Sequence, residues 1–257
     1  MNDSGTKRTQ LTRAELVRRG MHIPEVRFRA DVKRFAAADQ AAPPAAGGAL
    51  FVGDSDIRFW NDGGMFAECF AGLPVANRGF GGARTWETLL HFEELVPPHR
   101  PRVVVYCCGD NDIARLGEPG AESAVTGFRI FLELLAARAP ETRRALYLGI
   151  HPSPVDKPLW GAIARANAGL RRVCAESGGL AEFVDYGGLL LDPAGRPRPE
   201  LFRPDGLHFG PELYRALGAL LKPKVEAELA RPFSSGPAAS GRTAAGPRPR
   251  PEGDAPP

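Results

Sequence analysis

The sequence predicts a three-layer α/β/α fold around a parallel sheet of five strands, and three observations carry that prediction. Short apolar runs, continuous rather than alternating, recur along the chain, as they do in strands covered on both faces. Amphipathic stretches of helical spacing separate these runs, the pattern of a parallel sheet with crossover helices. The length, 257 residues of which 43% are hydrophobic, suits one sizeable core and would cramp two full domains.

Taken in order, residues Met1 to about His22 are polar and read as a loosely attached extension. Val26, Phe28, Val32 and Phe35 then fall at helical spacing within Val26 to Ala38, and a Pro/Ala/Gly loop follows from Ala41 to Gly48. The first strand is Ala49 to Val52, and the second is a short one, Pro74 to Ala76. Val103 to Cys107 is the clearest, being continuous and rich in β-branched residues. Ala145 to Ile150 and Glu182 to Asp185 complete the five. Helical patterns cover Thr85 to Leu95, Ala121 to Ala139, Leu159 to Glu176 and Pro211 to Leu229. Pro211 suits a first helical turn, whereas Pro223 is expected to kink or split the last helix. Beyond Ser234 the chain is rich in Pro, Gly, Ala and Arg with little apolar bulk, so it cannot offset its ordering entropy and is expected to be disordered. The expected organisation is an extension at 1–22, a globular body at 23–231 and a tail at 232–257, with no internal repeat.

The formal net charge of +3 and a charged fraction of 25% give no reason to expect nucleic acid or a membrane surface as partner. No apolar run is long enough to span a bilayer. Met1 to Arg19 lacks the apolar stretch of a secretory signal, which predicts a soluble, cytoplasmic protein. Of the four cysteines, Cys107 and Cys108 are adjacent on a strand and point to opposite faces, so they make no metal corner. There is no C-x-x-C pair, and all four read as core residues.

In parallel sheets, ligands sit beyond the carboxyl ends of the strands. The first strand here ends in Gly53-Asp54-Ser55, the second in Asn77-Arg78-Gly79-Phe80-Gly81-Gly82, and the third in Gly109-Asp110-Asn111-Asp112. Asp205-Gly206-Leu207-His208 stands just before the last helix. A hydroxyl, a glycine turn, a carboxamide and an Asp/His pair thus converge on one rim, the inventory that acyl transfer needs. Each piece has a plain structural reading as well: Ser55 or Asp205 as a helix cap, the glycines as a tight turn, Asn111 as an Asx turn, His208 as an ordinary core or surface histidine. Their conjunction at separate strand ends favours one site.

Those four segments resemble the signature blocks of the GDSL, or SGNH, hydrolase family, over roughly Ala49 to Leu221. The detail is similar to its platelet-activating-factor acetylhydrolase-like branch and to bacterial GDSL-type esterases; Asp56 replaces the fourth letter of the family's name. The resemblance implies a flavodoxin-like three-layer fold. It implies Ser55 as nucleophile, His208 as base, Asp205 orienting that base, and an oxyanion hole made by the N–H groups of Ser55 and Gly82 and the Asn111 side chain. It further implies a small-molecule ester as substrate, with no metal and no cofactor. A histidine base of ordinary pKa, about 6.5, predicts activity that falls on acidification. Trp60, Phe80, Trp86 and Trp160 read as pocket walls or, for Trp60 and Trp86 above all, as core. His151 reads as a substrate contact or a satisfied loop histidine; Arg78 and Arg84 read as anion contacts or solvated side chains. The rivals are a metal-dependent phosphoesterase built on Asp54, Asp110, Asp112, Asp205 and His208, which leaves Ser55 and Asn111 idle, and a non-catalytic binding protein on the same fold. Neither the dinucleotide fingerprint nor the P-loop is present, and Ile57 stands where the G-x-S-x-G elbow has its last glycine.

Overall fold

The computed structural model describes residues 11–21, 23 and 29–231. Its five strands are β1 (Ala49–Gly53), β2 (Val75–Gly79), β3 (Val103–Cys107), β4 (Arg144–Leu148) and β5 (Ala181–Val184), all parallel, in the order β2-β1-β3-β4-β5. The helices are α1 (Arg13–Arg18), α2 (Arg29–Ala41), α3 (Ser55–Phe59), α4 (Met65–Cys69), α5 (Thr85–Leu90), α6 (Phe92–Leu95), α7 (Asp110–Leu116), α8 (Glu118–Arg138), α9 (Trp160–Glu176), α10 (Gly187–Leu190) and α11 (Pro211–Ala230). No described helix is long and apolar enough to cross a membrane.

The central strands are buried at every position, which explains why β1 and β3 read as unbroken apolar runs. Helices cover both faces of the sheet. Trp86, Leu89, Phe92, Phe128, Phe131, Leu135 and Leu170 pack on one face. Ile57, Trp60, Phe66, Phe70, Leu213, Tyr214 and Leu217 pack on the other. This is the predicted α/β architecture.

Several boundaries differ from expectation. Edge strand β2 runs on through Asn77, Arg78 and Gly79, so half of the second motif lies inside the sheet. The Asn77 side chain donates to Ile57 O at 2.7 Å and accepts from Gly79 N at 2.9 Å, while Arg78 pairs with Asp39. The helix expected over Thr85 to Leu95 is two helices, broken at His91. The last helix neither splits nor ends at Pro223; α11 continues to Ala230, its Leu213, Tyr214, Leu217, Leu221 and Val225 buried against the sheet. The described part of the expected extension, residues 11–21, is anchored rather than loose: Leu16 and Met21, together with Ile23, are buried in the same core as β1 and β3, while residues 1–10 and 22 lie outside the described residues. Val26 and Phe28 of the expected first helix, and the expected tail at 232–257, lie outside the described residues.

Gly79 shows how tightly the layers meet. A Cβ there would lie 2.3 Å from Arg58 N and 2.7 Å from Ile57 C, both backbone atoms of α3. Gly79→Ala is therefore expected to lower stability by about 3 kcal/mol, the cost of overpacking a closed core, as read by urea denaturation. Gly188→Ala, where a Cβ meets nothing within 4 Å, is expected to change it by less than about 1 kcal/mol.

Candidate active site

The strand register brings the motif segments together. Gly53 of β1 is level with Gly79 of β2 on one side and Cys107 of β3 on the other. The pairing continues past the strand ends, with Asp54 N donating to Cys107 O and Phe80 N to Gly53 O. Ser55, the 80–83 turn and Asn111 therefore leave three adjacent strands at one level, and adjacent strands are about 4.8 Å apart. The Asp54 side chain accepts from Asp56 N at 3.0 Å and caps α3, so Ser55 is the first residue of that helix and not its cap.

Ser55 Oγ lies 3.2 Å from His208 Nε2. His208 stands on a loop closed by an antiparallel bridge between Phe202 and Phe209, both buried, with Arg203 N donating to His208 O at 2.7 Å. Asp205 organises this loop. Its Oδ1 accepts from the N–H groups of Leu207 and His208, each at 2.9 Å, and its Oδ2 meets His208 Nδ1 at 2.7 Å. Partial burial works to raise the pKa of Asp205, but these hydrogen bonds outweigh it and hold the group at about 2. The helix that Asp205 might have capped starts later, at Pro211. Phe59 meets the His208 ring edge to face, centroids 4.7 Å apart.

Gly82 lies in the turn after β2 at φ +74°, a left-handed conformation that an alanine would adopt only under strain. Asn111 lies in the first turn of α7, its Nδ2 donating to Asp110 Oδ1 at 2.9 Å and its backbone N–H to the same oxygen at 2.6 Å. Fully buried Asp112 ties the two segments together. It accepts from Thr85 N at 2.8 Å, Thr85 Oγ1 at 3.0 Å and Ser123 Oγ at 3.1 Å.

Around Ser55 lies a set of buried ionisable groups whose pairing no local pattern reveals. Burial, reinforced by the charges of Asp110 and Asp56, raises Asp54 well above the usual carboxylate range. Asp54 shares a hydrogen bond with Asp110, whose own pKa burial also raises. Asp56 meets His151 Nε2 at 2.9 Å, both side chains nearly inaccessible. Burial works to lower the pKa of His151, but the Asp56 carboxylate prevails and raises it. His151 is thus the partner of Asp56, packed on Phe209 at 4.4 Å. The only hint in the sequence was a histidine just past a strand end.

The other candidates take structural places. Trp60, Phe80 and Trp86 are buried core residues. Trp160 is half-buried and donates to Ser153 O at 2.9 Å. Arg84 is buried, 5.0 Å above the Trp86 ring and 3.9 Å from Glu87. All four cysteines are unpaired, and Cys107 and Cys108 are buried. Among the described residues, the one group of three or more potential metal ligands with ligand atoms within 4.8 Å of one another is Asp54, Asp56 and Cys107. The five residues of the metal-centred alternative do not gather in this way. In the Asp54–Asp56–Cys107 group, burial raises the pKa of both the Asp54 carboxyl and the Cys107 thiol.

A model of the GDSL-like lipase/acylhydrolase family matches residues 51–216, well over half of the chain. By class, then, this is an ester-bond hydrolase. The chain belongs to the GDSL-like lipase/acylhydrolase family. Among solved structures, a GDSL-like lipase from Bacteroides thetaiotaomicron is 22% identical, with a TM-score of 0.64, covering 77% of this chain and 98% of that one. A candidate acylhydrolase from Bacteroides fragilis is also 22% identical, with a TM-score of 0.66, covering 79% and 99%. A variant of an acetyl xylan esterase from Geobacillus stearothermophilus is 16% identical, with a TM-score of 0.52, covering 72% and 96%. At these identities the likeness establishes the fold. No curated protein matches the sequence.

Asp112 yields a pH signature. Burial raises its pKa to about 6, against the opposing hydrogen bonds from Thr85 and Ser123. The folded protein then binds a proton between about pH 4 and 6 that the unfolded chain does not. The contribution of this group to stability rises as pH falls through that window and is lost as pH rises through 6. Asp112→Asn removes the titration. The stability of the wild type relative to this variant is expected to increase by up to about 3 kcal/mol between pH 7 and pH 4, measured by urea denaturation at each pH.

Proposed function

We propose that the chain is a serine esterase that cleaves carboxylic esters of small or medium acyl groups. The observation that carries this reading is the continuous hydrogen-bonded chain from Asp205 through His208 to Ser55. Ser55 Oγ attacks the acyl carbonyl while His208 Nε2 takes its proton. Asp205, ionised at any ordinary pH, accepts the Nδ1–H. It fixes the tautomer that leaves Nε2 free to act as base and steadies the imidazolium that forms. The tetrahedral oxyanion is held by the N–H groups of Ser55 and Gly82 and by the Asn111 amide. One Asn111 hydrogen is held by Asp110, which leaves the other for the substrate. The intermediate collapses to the acyl-enzyme as the alcohol departs with the proton from His208. Water then repeats the sequence, with His208 again as base, and releases the acid.

Two features support the modest acyl size. Phe59 stands beside His208, and Arg58 lies against Gly81. Trp60, Phe80 and Trp86, large enough to line a long channel, are committed to the core. A structural neighbour described as an acetyl xylan esterase supports placing acetyl esters in the range. Transfer of the acyl group to another alcohol uses the same acyl-enzyme.

The direct assay is hydrolysis of p-nitrophenyl esters from acetate through octanoate. Wild type is expected to turn over the short members, Ser55→Ala to lose at least about a thousandfold, and a chelator to change nothing. Equal activity in wild type and Ser55→Ala, or loss of activity with chelator, would sink the reading. Asn111→Ala is expected to lower kcat by about 100- to 1000-fold with KM little changed, the signature of a donor that acts on the transition state.

A further inference from the structure

Beside Ser55 stands a cation with no counter-charge in the described chain. Arg58 follows Ser55 by three residues on α3, a spacing that puts two side chains on one helix face. It is exposed, yet its guanidinium is not loose. The guanidinium carbon lies 4.9 Å from the centroid of the Phe59 ring, and Phe59 is the ring that backs His208. On its other side the group reaches the turn after β2. A Cβ on Gly81 would fall 3.0 Å from Arg58 Nη1. Gly81 does not have a positive φ, so the backbone does not demand glycine there; the missing side chain leaves room for the guanidinium. Arg58 is thus held between the ring behind the base and the turn that carries Gly82.

The neighbouring arginines are engaged. Arg203, also stacked on Phe59, pairs with Asp62 at 2.9 Å; Arg78 pairs with Asp39; Arg84 is buried on Trp86 near Glu87. Among the described residues no carboxylate lies within ion-pair distance of Arg58. The exposed carboxylate of the site, Asp205, is taken up by His208 and two backbone N–H groups.

We propose that Arg58 binds an anionic group of the substrate, so that the site selects esters carrying a carboxylate a few bonds from the scissile carbonyl. This rests on the serine-esterase reading above and names its substrate class. A guanidinium presents its donors in a planar fork that matches a carboxylate, and stacking on a ring pre-organises it, so less freedom is lost on binding. Because the group is exposed, water screens the interaction and limits the gain to about fivefold.

The test uses two ester pairs. In one, a 4-nitrophenyl monoester of a dicarboxylic acid is compared with its terminal-amide analogue, which puts the anion on the acyl arm. In the other, an O-acetylated hydroxy acid is compared with its amide, which puts it on the alcohol arm. In at least one pair the carboxylate member is expected to show about fivefold higher kcat/KM. Arg58→Gln removes that preference, Arg58→Lys keeps part of it, and added salt shrinks it. Equal values within both pairs, or a preference that survives Arg58→Gln, overturns the inference. An NMR titration of Ser55→Ala with the same esters decides the matter apart from turnover. There the carboxylate member binds more tightly, and the added Arg58→Gln change abolishes the difference. Equal binding overturns the Arg58 site even if the esters are hydrolysed. Selective binding without any hydrolysis by wild type overturns the esterase reading and leaves the anion site standing.

Discussion

The geometry of the site depends on how closely the backbone of α3 settles on the end of β2. Arg58 N and Ile57 C occupy the space where a side chain at 79 would be, so the first turn after β1 is held by main chain against main chain. The Asn77 amide locks the same contact by bonding Ile57 O and Gly79 N. Ser55, at the head of that turn, takes its height above the sheet from these contacts rather than from a flexible loop. Close-packed interiors transmit small shifts with little damping, and so fixed a seat suits a hydroxyl that must meet an imidazole near 3 Å.

Around this seat the charges are arranged in two levels. The upper level is accessible: Asp205 stays ionised and His208 stands against Ser55. The lower level is sealed, with Asp54 hydrogen-bonded to Asp110 and Asp56 held against His151. Three carboxyl groups crowded under one serine would repel one another if all were ionised. The Asp54–Asp110 hydrogen bond and the His151 partner of Asp56 relieve that repulsion, and Asp110 grips the Asn111 amide from behind. The buried network thus touches Asn111 through Asp110, and the accessible pair touches Ser55.

How far the sequence revealed this depended on whether a feature was local. β3 was legible residue by residue because a strand buried on both faces must be apolar throughout. β2 was read too short because an edge strand tolerates Asn77 and Arg78, whose partners, Ile57 O and Asp39, come from distant segments. Pro223 argues for a break by local rules, but the apolar stripe from Leu213 to Val225 overrides it. A polar leader concealed Leu16 and Met21, two apolar residues that suffice to anchor it. At the site, residue types and strand-end positions could be read from motif and pattern, while mutual distances could not. The Asp56–His151 pair spans 95 positions, and Arg58 carries no signal until its neighbours are known to be paired.

The loop from Phe202 to Phe209 has a consequence for the order in which the molecule becomes competent. Ser55, Gly82 and Asn111 precede β4 and β5 in the chain, whereas the Asp205–His208 unit follows every strand and is pinned by Phe209 against His151 and Tyr214. On the proposed mechanism, a chain leaving the ribosome would display Ser55, Gly82 and Asn111 well before His208, and would stay inert until the segment that carries His208 has docked. On the same reading, loss of the Phe209 contacts with His151 and Tyr214 would part His208 from Ser55. Activity would then report on the closure of the final segment.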